Sequence, residues 1–184
     1  ADNSNKLSLT GLTANTAYTV YVIGVDRAGN TSNILSQSFT TCKTMPEVTT
    51  NPTLSGTYGT AVSAMTLENG VAKAGDTEIT GTWTLTDTKV SDVPSVGTTN
   101  TYEVTFTPDE KYNGQYETVK VAVKPNVERK PVTVKADNKE KTYGQENPEL
   151  TFTITEGSLV DGETKADLGV TLSCEATKTS PVKE

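Results

Sequence analysis

The feature that most constrains the fold is strict two-residue alternation. In "EITGTWTLTD" (78–87), Ile79, Gly81, Trp83 and Leu85 fall on one face and the threonines at 80, 82, 84 and 86 on the other. Successive side chains of an extended chain point to opposite sides, so this pattern predicts a half-buried β-strand. "TYEVTFTP" (101–108) aligns Tyr102, Val104 and Phe106 in the same way. "ETVKVAVKP" (117–125) aligns Val119, Val121 and Val123 and leaves Lys120 and Lys124 to solvent. A weaker strand is expected in "AVSAMTLENG" (61–70). The expected fold class is all-β, as serial small β-sandwich or Ig-like units; patterning alone leaves a β-grasp-like sheet open for the middle one.

Three units are expected in series. In the first, "KLSLTGL" (6–12), "YTVYVIGV" (18–25) and "LSQSFTTCK" (35–43) read as strands, with turn-rich "DRAGNTSN" (26–33) between the last two. About forty residues are too few for two facing sheets, so truncation of a larger module is the expectation for residues 1–43. "TMPEVTTNP" (44–52) reads as a linker, residues 53–124 as a complete β module, and "KPNVERK" (with 125–130) as a second linker. The last unit, 131–184, has strands expected in "PVTVKAD" and "PELTFTITEG" and at Leu168, Val170, Leu172, Cys174 and Ala176, which makes Cys174 a buried filler. The pairs Tyr58-Gly59 and Tyr143-Gly144 recur 85 residues apart, about the length of one sandwich domain.

Composition narrows the chemistry. Sixteen basic residues against twenty-three acidic ones give a net charge of -7, which disfavours nucleic acid and anionic membranes as partners. The chain has no histidine, so His-based nucleophile triads, HExxH sites and Cys/His zinc clusters are excluded. Carboxylate pairs remain: Asp109 with Glu110, and Asp161 with Glu163, all in turns where charged groups more often solvate a loop than work as acid and base. No catalytic residue, enzyme activity or cofactor is expected. Asp26 and Asn30 are the least poor candidates for calcium. Trp83 could serve as a sugar-stacking platform, although its alternation argues for the core; Tyr112 and Tyr116, in polar "DEKYNGQYE" (109–117), are the better ligand candidates. Cys42 and Cys174 lie 132 residues apart and read as unpaired thiols. No apolar run approaches the roughly 20 residues of a membrane-spanning helix.

Some of these motifs carry resemblances. Residues 5–43 resemble the final three strands of a fibronectin type III domain, with Leu12 and Tyr18 at that family's tyrosine-corner spacing. Residues 128–178 resemble the bacterial MBG-type domain through Tyr143, Gly144, Pro148, Leu150, Gly157, Leu159 and Gly162 in "KTYGQENPELTFTITEGSLVDGET". Residues 53–124 look like a related Gram-positive surface repeat, carrying "TYGTAV", "GTWTL", "VG" and "YEVTFTPDEKY". The last unit departs from its family in lacking a Y-x-I or Y-x-V strand after "TSPVKE". These resemblances imply a spacer or stalk region of a secreted or cell-wall-attached protein of a Gram-positive bacterium, whose neighbours are other domains of the same polypeptide. The alternative is an accessory module that binds host glycan or matrix protein, in an adhesin or an extracellular glycoside hydrolase. Lys-Asn isopeptide bonds occur in some such modules; here most lysines fall on polar faces or in turns, against such a bond.

Overall fold

The computed structural model describes residues 8–181. The start of the strand expected at 6–12 and the end of "SPVKE" lie outside the described residues. The fold is all-β: thirteen short strands in five small sheets, with three 3₁₀ turns and no α-helix among the described residues.

The first unit is a hairpin of β1 (Ala17–Val22) and β2 (Leu35–Thr40), antiparallel, with Tyr18 opposite Phe39 and Thr19 opposite Ser38. The rings of Tyr18 and Phe39 stack at 6.0 Å. On the other face the Thr19 and Ser38 hydroxyls bond at 2.8 Å. Such cross-strand pairs stabilise a ladder by tenths of a kcal/mol, roughly 0.2–1 each. Two strands alone have no second layer to cover them, and Val22, Leu35 and Tyr21 stay more than half exposed. Residues 8–12 form no strand.

The middle unit holds the core. Strand β3 (Glu47–Thr50) pairs with β6 (Val71–Ala74), which continues to β7 (Thr77–Ile79). Strand β4 (Thr53–Thr57) lies between β5 (Thr66–Glu68) and β11 (Asn126–Glu128), and β9 (Tyr102–Pro108) between β8 (Gly81–Leu85) and β10 (Val119–Val123). The three sheets bury Leu54, Ile79, Trp83, Tyr102, Val104, Phe106, Val123 and Val127 in one cluster. Trp83 sits opposite Phe106, ring centroids 4.9 Å apart. The alternation of β8, β9 and β10 thus places the residues it was expected to place. Thr105, on the opposite face of β9, is also buried and shares its hydroxyl with Thr86 at 2.7 Å, so no polar atom is stranded.

Three details differ from the sequence expectation. The run 78–87 is two strands in two sheets: at Thr80 the amide turns from the ladder to the Tyr112 hydroxyl (3.1 Å), while its carbonyl accepts from Asp109 N (3.1 Å). The stretches 44–52 and 125–130, read as linkers, supply β3 and β11, whose few residues show no periodicity long enough to detect. In the last unit β12 (Thr133–Ala136) pairs with β13 (Phe152–Glu156), and residues 169–176 form no strand. Carbonyls at the end of that segment are taken by side chains instead: Asn147 Nδ2 donates to Ala176 O and Lys141 Nζ to Thr177 O, both at 2.6 Å. Cys174 is therefore exposed, not a core filler; Cys42 is exposed too, and both thiols are free.

Candidate functional site

The sequence-predicted ligand candidates do not converge on one surface. Trp83 is 7% exposed, inside the core. Tyr112 and Tyr116 are half-buried against that core and meet edge to face at 5.2 Å and 85°. The 3₁₀ turn Glu110–Tyr112 and the left-handed Asn113 and Gly114 fold "EKYNGQY" back so that the two rings touch. The Thr80 contacts also hold the Tyr112 phenol below its ordinary pKa, since an accepted hydrogen bond favours the phenolate.

Asp26 spends its carboxylate locally. Oδ1 accepts from the amides of Ala28 and Asn30, and Oδ2 from Asn30 Nδ2, all at 2.8 Å, which depresses its pKa chiefly through Asn30. This is a loop-closing Asx arrangement. No group of three or more His, Cys, Asp or Glu able to hold a metal occurs among the described residues. Asp109 takes the Thr80 hydroxyl, and its nearest cation is Lys111 at 3.5 Å, exposed on both sides. Lys141 does reach an asparagine, with Nζ 2.7 Å from Asn147 Oδ1. The half-buried Lys141 also donates to Thr177 O at 2.6 Å, so its nitrogen is held between two acceptors and is not aimed at the amide carbon.

The residues that do come together from distant parts of the chain lie at the two joints between units. At the first, Thr44 N donates to Gln115 O (2.8 Å) and Glu117 N to Thr44 O (2.9 Å), so the incoming chain pairs with the tyrosine loop. At the second, the turn Thr57–Thr60 meets the loop 158–163 of the last unit. Thr60 N closes the turn onto Thr57 O at 3.0 Å, and Gly59 takes φ +93, the left-handed value for which the third position of this turn favours glycine. A Cβ on Gly59 would lie 2.7 Å from Val160 Cγ2; the missing side chain is where the valine methyl goes. The Tyr58 hydroxyl donates to Glu163 Oε1 at 2.9 Å, and Glu163 Oε2 accepts from Val160 N at 3.0 Å. That hydrogen bond, with the carboxylate's charge, raises the Tyr58 pKa above 10.0. Lys130 and Asp161 line the same recess.

Tyr58 and Gly59 were singled out by repetition alone; Val160 and Glu163 carried no signal of the contact, being more than a hundred residues away. Tyr18 OH accepts from Thr13 N at 2.9 Å, tying the strand to the turn before it, while Leu12 is half-buried.

Tyr143 and Gly144 lie in the last unit, where residues 132–183 match the family model described as MBG domain (YGX type). An MBG-type domain is present here. No curated protein and no solved structure matches the chain. The joint just described therefore runs from a Tyr-Gly turn outside the MBG match to the Ser158–Glu163 loop of the MBG-type unit. The MBG Tyr-Gly pair itself lies in a separate turn of that unit, tied to the end of the chain by Gly144 N donating to Lys178 O at 3.0 Å.

Proposed function

We propose that this chain is a non-catalytic spacer in a secreted or cell-wall-attached bacterial surface protein, holding an adhesive or enzymatic domain away from the surface. The observation that carries the reading is its area: 13711 Å² is accessible, against about 8,600 Å² for a compact monomer of this mass by the usual area-mass scaling. A two-stranded hairpin, one three-sheet core and a second two-stranded sheet follow one another along the chain, and small units in series expose such an excess, as serial repeats do. The MBG match favours a surface-protein setting. The Thr13 to Tyr18 hydrogen bond favours the fibronectin-like reading of the first unit, because a tyrosine bonded back to upstream backbone is that sandwich class's corner device. No helix among the described residues is long and apolar enough to cross a membrane.

Small-angle scattering on the whole chain tests this. A single globule of this length has a radius of gyration of about 16 Å; the spacer requires a value well above it and an elongated distance distribution. A radius near the globular value would overturn the reading.

A further inference from the structure

The chain contains the Tyr-Gly turn twice, in two states of occupancy. Thr57–Thr60 and Thr142–Gln145 have the same build: the fourth amide donates to the first carbonyl at 3.0 Å in each, and the glycines take φ +93 and +84. In the first copy the tyrosine is half-buried, its hydroxyl is bonded to Glu163, and Val160 lies over the glycine. In the second, Tyr143 is 62% exposed, its hydroxyl has no hydrogen-bond partner among the described residues, and nothing lies within 4 Å of where a Gly144 Cβ would stand. Both turns have a lysine at hand, Lys130 at the first and, at the second, Lys139 and Lys141, of which Lys141 is held by Asn147 and Thr177 O; Glu140 lines the second recess too, so the net attraction for a loop carrying Asp161 and Glu163 is that of one lysine.

Building on the spacer reading, we propose that the Thr142–Gln145 turn is a docking seat for the Leu-Val-Asp-Gly-Glu loop of another module of this kind. The fit is the one the first copy displays. A branched apolar side chain covers the bare face of the glycine, where any side chain on the turn itself would collide. A carboxylate accepts the tyrosine hydroxyl, and lysine at the rim attracts the acidic loop. The glycine requirement then has two causes, the left-handed backbone and the space above it. The same joint can be repeated along an array, each Tyr-Gly turn taking the loop of the next module.

The probe is the blocked peptide Gly-Ser-Leu-Val-Asp-Gly-Glu-Thr, the sequence of residues 157–164, titrated into the ¹⁵N-labelled full chain while the Gly59 and Gly144 amides are followed. The Gly144 amide should shift and saturate, with a Kd on the order of 1 mM for so small a contact. Tyr143→Phe, or a peptide with Gln in place of its Glu, should weaken binding about 10-fold through loss of a charge-assisted hydrogen bond. Gly59 should stay silent in the parent, its seat being filled, and respond in a Val160→Ala/Glu163→Gln chain. A silent Gly144 overturns the proposal, whether or not the opened Gly59 seat responds. Such a failure leaves the scattering result untouched, so the docking seat and the spacer reading fall separately.

Discussion

Gly81 sits where strand β8 crosses the ring of Phe106, and replacing it with alanine tests the packing of the middle unit directly. A Cβ there would lie 2.3 Å from Thr107 O and 2.6 Å from Phe106 Cε2, both under the 3.0 Å that real Cβ atoms keep. The ring could swing, but the carbonyl belongs to the β8–β9 ladder, in which Gly81 faces Pro108 and Thr82 faces Thr107. The strands must therefore part, and forced overpacking of this kind costs about 1–3 kcal/mol. Alanine also stiffens the unfolded chain, which returns about 0.4–1 kcal/mol. The net is a loss of about 1–2 kcal/mol, or a Tm lower by about 4–16 °C for a unit of this size. Trp83 is the sole tryptophan and lies against the same Phe106, so its fluorescence in urea or heat reports this core alone. Phe106→Leu added to Gly81→Ala should recover little, because the carbonyl obstacle remains. A Gly81→Ala chain as stable as its parent would refute the argument.

Two further outcomes are expected. Asp87 Oδ1 accepts from Lys89 N and Oδ2 from Glu103 N, each at 2.8 Å, and these bonds hold its pKa below 3.8. A depressed carboxylate stabilises fully above its unfolded value and loses that contribution as pH falls from there through the folded one; the urea midpoint should begin to fall as pH drops below the ordinary carboxylate range and level off once the folded value is passed, less steeply in Asp87→Asn. Cys174 should react with a thiol reagent in the native protein about as fast as Cys42, whereas a Cys174 that waits for denaturant would restore it to a core.

The legible part of the fold was the part whose faces differ chemically. Trp83, Tyr102, Val104 and Phe106 are buried because alternation told inside from outside, and the core needed nothing more. The same alternation at Leu168 to Ala176 failed, since a strand also needs a free backbone edge, and edge availability is not written in the strand's own residues. Strands β3 and β11 were missed for the converse reason: three or four residues between prolines carry no period, yet they close edges of the middle unit. Tyr58 was visible as half of a repeat, but its partner Glu163 was not, because nothing in either residue encodes a contact across so much chain.

One further consequence follows from the pairing of β11 with β4. Near the entry and exit of the middle unit, these two strands run parallel, with Asn126 opposite Ser55, Val127 opposite Gly56 and Glu128 opposite Thr57. Tension on the two ends of the chain pulls such strands lengthwise past each other, so their hydrogen bonds share the load together. An antiparallel pair held at adjacent ends would instead open like a zip, one bond at a time. The unit that owns the core is thus also braced against tension applied along the chain.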